Sequence, residues 1–153
     1  FYRMIINGTV PVVGSGKNKR SMACTLNICQ GIFRSAITEK SNGKIYWIAD
    51  ENPYTFNQII STIRNVFENE FGIMCKNNIF RLPNLISEVA YHTDKIIQNM
   101  GYYNKKLHVL SEMNKTIACS IGHAKKELQY RPNFDLYEGT YLSIKPIIEE
   151  FRS

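Results

Sequence analysis

The sequence lacks several features that would place it at once. It contains no apolar run near the roughly 18 residues of a membrane-crossing helix, so a helical membrane span is not expected. Four cysteines are present, and no two have C-x-x-C spacing, which gives no support to a zinc or dithiol redox site. Scattered in apolar settings, Cys24, Cys29, Cys75 and Cys119 are expected to be reduced, buried thiols of a cytoplasmic protein. The three histidines, His92, His108 and His123, include no H-x-x-x-H pair, so no metal site is expected. No G-x-S-x-G or phosphate-loop pattern occurs, and there is neither an internal repeat nor a low-complexity linker. The chain opens on Phe1 with no basic-then-apolar leader, which points to a processed chain or a piece of a longer one.

What remains is an ordinary globular composition over 153 residues, 44% hydrophobic and 21% charged. That is enough for one domain with its own core. The net charge of +6 permits an anionic partner without naming one.

Periodicity divides the chain into alternating helices and strands. Phe1 to Ile6 looks helical and closes at Asn7-Gly8. Val10 to Val13 and Arg20 to Thr25 look extended, and Ile28 to Ile37 repeats at helical spacing. Lys44 to Ala49 is the clearest strand pattern. Thr55 is placed to cap the clearest helix, whose apolar face is Phe56, Ile59, Ile60, Ile63, Val66 and Phe67 and whose end is Gly72. A short strand from Ile79 stops at Pro83, and an amphipathic helix spans Leu85 to Met100. Lys105 to Met113 is ambiguous, and Ile117 to Ser120 is extended, with Ser120 as cap of the next helix. Asp135 to Phe151 is a last helix that Pro146 should kink or end. The pattern is that of an α/β unit, α+β when taken alone, with helices and a few short strands.

Few residues carry chemistry. Val12 to Gly16 resembles the start of a dinucleotide fingerprint, but the third glycine is missing and a strand follows instead of a helix. Tyr91 and Lys95 have Tyr-x-x-x-Lys spacing, which puts both on one helix face, but no cofactor loop precedes them. Lys105-Lys106 and Lys125-Lys126 read as solvated helix ends, so no nucleic-acid partner is expected. The stretch from Gly14 to Arg20 is stronger. A glycine turn with Lys17, Lys19 and Arg20 can offer a phosphate two point charges and a planar fork. The alternative is a solvated hairpin turn.

The order of these pieces resembles the NAD-dependent epimerase/dehydratase family of extended short-chain dehydrogenases/reductases. Val10 to Met22 is similar to that family's Gly-rich stretch ending in arginine, and Thr25-Leu26-Asn27-Ile28 with Gln30-Gly31 to the junction that follows. Gly43 to Asp50 resembles its "G-x-x-Y-x-I-x-d" strand. Ala118 to Pro132 resembles "x-x-D-x-x-K-A-x-x-E-L-G-Y-x-P", and Tyr137-Glu138-Gly139 the closing "x-E-G" helix. Leu26, Ser120 and His123 replace an aspartate, an aspartate and a lysine of the family pattern.

The resemblance implies that residues 1–153 are one C-terminal substrate-binding lobe, with the N-terminal cofactor domain and the catalytic Tyr-x-x-x-Lys pair outside this chain. It implies substrate contacts from Arg20, Asn27, Lys17 and Lys19, with no catalytic and no metal-binding residue among these positions. NAD or NADP would be bound by the intact protein and by no part of this chain alone. The partners implied are a nucleotide sugar or similar small molecule, the protein's own cofactor domain and a second copy, with no nucleic acid and no membrane. Two alternatives stay open: a non-catalytic binding module of the same fold, and a reductase of another carbonyl or hydroxysteroid-like substrate. Because some of its strands would join the cofactor domain's sheet, the chain alone should expose apolar surface and sheet edges.

Overall fold

The structure is a computed structural model that describes the backbone of residues 1–152 and the side chains of residues 1–150. Its helices are α1 (Tyr2–Ile6), α2 (Thr25–Ile37), α3 (Phe56–Phe71), α4 (Asn84–Asn99), α5 (Lys105–Glu112), α6 (Gly122–Leu128) and α7 (Leu136–Arg152). The strands are short: β1 (Pro11–Val13), β2 (Lys19–Arg20), β3 (Tyr54–Thr55) and β4 (Phe80–Leu82). The result is mixed α/β, mostly helical, as the sequence pattern indicates.

The main core follows from α3. Thr55 Oγ1 accepts from Gln58 N at 3.2 Å and Gln58 Oε1 accepts from Thr55 N at 2.8 Å, so a reciprocal cap starts the helix. Gly72, in the left-handed region at φ 66°, ends it. Between these stops Ile59, Ile60, Ile63, Val66 and Phe67 are buried, packed with Ile5 of α1, Val12 of β1 and Leu136 and Ile144 of α7. α7 starts from a second reciprocal cap, in which Glu138 N donates to Asp135 Oδ1 (2.9 Å) and Asp135 N to Glu138 Oε2 (3.0 Å). It runs on through Pro146, so that residue does not end the helix.

Two small ladders join distant parts of the chain. β1 pairs with β4 in parallel, Val12 opposite Arg81. β2 pairs with β3 antiparallel, Arg20 opposite Tyr54, and its other edge meets the segment at Ile117 in parallel. Ile117 N donates to Lys19 O (2.9 Å) and Ser21 N to Ile117 O (3.2 Å), so the extended stretch from Arg20 is laddered to Ile117 as far as Ser21, and beyond it Met22 O accepts from Asp50 N (2.8 Å).

Several expectations change. Lys105 to Met113 resolves into α5, because Asn104 Oδ1 accepts from Lys106 N and Leu107 N. Ile121, not Ser120, holds the cap position of α6, although Ser120 Oγ accepts from Gly122 N at 3.3 Å. Of the cysteines only Cys75 is buried: Cys24 and Cys119 are half-buried and Cys29 is exposed. Cys29 is exposed because α2, which carries it, keeps most of its surface in solvent, whereas Cys119 packs at the margin of the cluster around Ala124, Leu128 and Tyr130. The largest change is at Lys44 to Ala49. The alternation is present, with Ile45 and Trp47 outward and Tyr46 and Ile48 inward, but among the described residues no strand pairs with it.

Candidate functional site

The Gly14–Asn18 loop is strapped to two helix starts. Gly14 N donates to Leu82 O (2.8 Å), Asn57 Nδ2 to Ser15 O (2.8 Å), Asn57 N to Gly16 O (3.1 Å) and Phe56 N to Asn18 O (3.0 Å). Gly14 and Gly16 both have positive φ, and a Cβ on either would collide with Asn84 Oδ1 or Asn57 Oδ1. The glycines therefore let the loop lie flat against α3 and α4. They do not open a helix N-terminus, so this loop does not fit the pyrophosphate of a dinucleotide.

Lys17, Lys19 and Arg20 leave this loop along one edge, the two lysines exposed and the arginine half-buried. Arg20 Nη2 donates to Glu112 O at the end of α5 (2.7 Å), a carbonyl at the negative pole of a helix. Asn18 Nδ2 donates to Met113 O (3.0 Å), and Lys19 N to Thr116 Oγ1 (3.1 Å). These bonds bring Lys115 to the same edge, a residue that no local pattern singles out. Its ammonium sits 4.0 Å above the Tyr91 ring. Arg81 joins them through its hydrogen bond to Ser15 O (3.4 Å). Beside the edge lies an open cleft of about 810 Å³, walled by Ser21, Met22 and Ala23, by Trp47 to Ala49, and by Thr116 to Ser120.

Asn27 is placed differently from the other three. It is buried in α2, where Nδ2 donates to Asp50 Oδ1 (2.9 Å) and Phe134 O (2.7 Å). Its Oδ1 accepts from Asn133 N (3.0 Å) and Phe134 N (3.2 Å). Both donors and both acceptor positions of the amide are thus engaged inside the protein. Asn27 joins α2, the end of the Lys44–Asp50 segment and the approach to α7. Burial pushes the Asp50 carboxyl up, while bonds from Asn27, the Cys24 amide and the Tyr54 hydroxyl draw it back down.

A second group of polar residues fixes the Lys44–Ala49 segment to α6. Glu127 Oε2 accepts from Lys44 Nζ (2.8 Å) and the Tyr46 hydroxyl (2.6 Å), and Oε1 lies 3.1 Å from His123 Nε2. These partners hold the Glu127 carboxyl down at about 2. Desolvation and the hydrogen bond to Glu127 raise the Tyr46 hydroxyl to about 12, far from what a proton-transferring tyrosine needs. Tyr91 and Lys95 lie on α4 beside Asp94 and His108. Among the described residues no group of three or more His, Cys, Asp or Glu side chains could hold a metal ion, and no helix is long and apolar enough to cross a membrane.

The most unusual feature is the orientation of α2. Its inward side is Asn27 and Gly31, and a Cβ at Gly31 would press on Ile48 at 2.8 Å. Its apolar residues Leu26, Ile28, Ile32, Phe33 and Ile37 all face solvent, Phe33 at 61% exposure, and Trp47 nearby in the unpaired segment is 66% exposed. The predicted exposed apolar surface and open strand are therefore present.

No family model matches the chain. It is 46% identical over 144 residues to the uncharacterized protein y4nL of Sinorhizobium fredii (strain NBRC 101917 / NGR234), covering 94% of this chain and 40% of that protein. Its backbone is similar to dTDP-glucose 4,6-dehydratase from Bacillus anthracis in complex with NAD (TM-score 0.55, 16% identity, 93% of this chain and 35% of that one). It is also similar to UDP-glucuronic acid 4-epimerase from Bacillus cereus in complex with NAD (TM-score 0.54, 18% identity, 95% and 39%). The fold is that of the C-terminal part of epimerase/dehydratase chains. The chain spans 35 to 40% of the length of the proteins it resembles.

Proposed function

We propose that this chain is the substrate-side part of an NAD-dependent epimerase or dehydratase acting on a nucleotide sugar. Residues 1–153 serve as one lobe. The outward face of α2 and the open segment from Lys44 to Ala49 are the seat of a cofactor domain. That domain supplies NAD, which accepts and returns hydride when bound. The observation that carries this reading is the inverted helix beside an extended segment that no described strand pairs with, in a chain whose backbone follows the C-terminal part of such enzymes. An apolar face and an open strand edge are each costly in water, and one α/β domain would cover both.

On this reading Lys17, Lys19 and Arg20 attract and orient the diphosphate, with Lys115 and Arg81 adding positive potential at the same edge. Asn27 acts behind that edge, holding α2 and Asp50 in place. The cleft between Ala23, Trp47 and Ala118 receives the sugar end.

The test is calorimetric titration of UDP-glucose into the protein assembled with its cofactor domain. Arg20→Ala should weaken binding by about tenfold or more, as expected for a lost charge-assisted phosphate contact. Lys17→Ala, on an exposed side chain, should weaken it by a few-fold without disturbing the fold. Unchanged affinity in both variants removes the phosphate role. Absence of saturable binding for UDP-, dTDP- and GDP-sugars alike removes the nucleotide-sugar reading.

A further inference from the structure

The α4–α5 hairpin repeats the inversion of α2 for a different reason. Its two helices meet through polar groups. Ser87 Oγ donates toward Leu110 O (3.0 Å) and Ser111 O (3.2 Å), Asp94 Oδ2 pairs with His108 Nδ1 at 2.8 Å, and Gln98 Nε2 donates to Asp94 Oδ2 at 2.7 Å. With polar side chains spent on the seam, apolar ones are left outside, and Ile96 and Val109 are both exposed. The exposure culminates at the tip. Met100, Tyr102 and Tyr103 are 67%, 70% and 64% exposed. The turn that presents them is defined: Gly101 has φ 83°, Tyr102 N donates to Ile97 O (3.1 Å), and Asn104 caps α5.

The charge at this tip has one sign. From Lys95 to Ser111 there is no aspartate or glutamate, while Lys95, Lys105 and Lys106 are all exposed. Asp94 and Glu112 flank the stretch, Asp94 buried against His108 and Glu112 half-buried beside Lys95, so the turn itself carries only the Lys105–Lys106 charge. Aliphatic side chains, two adjacent tyrosines and that lysine pair match a water–lipid boundary. There the aliphatic groups enter the acyl region, tyrosine rings sit at headgroup level and ammonium groups meet anionic phosphates. A single-stranded nucleic acid would use the lysines and tyrosines but would leave Ile96, Met100 and Val109 without a partner.

We propose that the α4–α5 tip docks on the surface of an anionic phospholipid bilayer. The contact is peripheral, since no described helix is long and apolar enough to span, and it uses none of the residues assigned to substrate. It is thus independent of the function proposed above.

The experiment is co-sedimentation of the chain with vesicles of phosphatidylcholine alone or with about 30% phosphatidylserine. The expected result is sedimentation with the anionic vesicles only, weakened by added salt. Lys105→Glu/Lys106→Glu should lower partitioning by more than about tenfold, and Tyr102→Ser/Tyr103→Ser by about tenfold. All four positions are exposed, so circular dichroism of the variants should match the parent. Phe33→Ser on α2 should leave the serine-lipid dependence intact. Equal sedimentation with neutral vesicles, tip variants that sediment like the parent, loss of binding in Phe33→Ser alone, or tip-dependent binding to single-stranded RNA with none to vesicles would each overturn the proposal.

Discussion

Two amphipathic helices of this chain, α3 and α2, obey opposite rules. α3 turns Ile59, Ile63, Val66 and Phe67 inward and is closed by a cap at each end. α2 turns Asn27 and Gly31 inward and leaves Ile32, Phe33 and Ile37 in solvent. Their sequence periodicity is equally helical, so the difference lies in which face the rest of this chain can cover. The lobe has built a core for α3 and a polar socket for α2. The helix is held in place by hydrogen bonds to its polar side, and its apolar side is left uncovered among the described residues.

The sharpest test of that contrast is a matched pair of truncations. Phe67→Ala should cost about 3–5 kcal/mol in urea unfolding, the usual range for a buried phenylalanine. Phe33→Ala should stay within about 0.5 kcal/mol, as at an exposed position. Similar costs at the two sites would mean that α2 is covered within the chain itself. Next in size is the socket. Asn27→Ala leaves the Asp50 carboxylate and the Asn133 and Phe134 amides short of a partner, and should cost about 2–3 kcal/mol by the same measurement. A loss below about half of that would shift the anchoring of α2 to contacts other than its asparagine.

How far the sequence reveals this depends on the residue. The α3 face, its Thr55 cap and its Gly72 stop are local signals, and all three are legible because helix period and cap chemistry act within a few residues. The inversion of α2 is not legible from its own period, which gives a face but not a side. The Lys44–Ala49 pattern reads as a strand because Tyr46 and Ile48 alternate with Ile45 and Trp47, yet a strand also needs a neighbour, and alternation cannot say where that neighbour is. Lys17, Lys19 and Arg20 were visible as a cluster, whereas Lys115 and Arg81 reach the same edge only through long-range hydrogen bonding. Asn27 occupies a motif position, and its saturated amide becomes apparent only when Asp50 and the Asn133–Phe134 turn are brought beside it.

Two smaller effects refine the comparison at the base of the unpaired segment. Gln129 ends α6 in the left-handed conformation at φ 54°, where the matching motif has glycine. Gln129→Gly should raise stability by up to about 1 kcal/mol, seen as a higher urea midpoint, and a loss would mean the glutamine side chain contributes more than its backbone costs. Glu127, held down at about 2, supports the attachment of Lys44 and Tyr46 above its ordinary value of 4.5. That support is lost as acid protonates the carboxylate between about pH 4.5 and pH 2. Trp47 fluorescence should report a transition in that window which Glu127→Gln lacks. A transition that persists in the variant would assign the acid response to another carboxylate.

The bond from Lys19 N to Thr116 Oγ1 joins positions 97 residues apart. Closing so long a loop is entropically slow and comes after local helices have formed. During synthesis, then, the cationic rim cannot assemble until Thr116 has left the ribosome, long after Lys19 has done so. Ligand capture at that rim would be a late milestone of maturation, and a molecule able to hold a diphosphate there would by that fact have closed a loop of nearly a hundred residues.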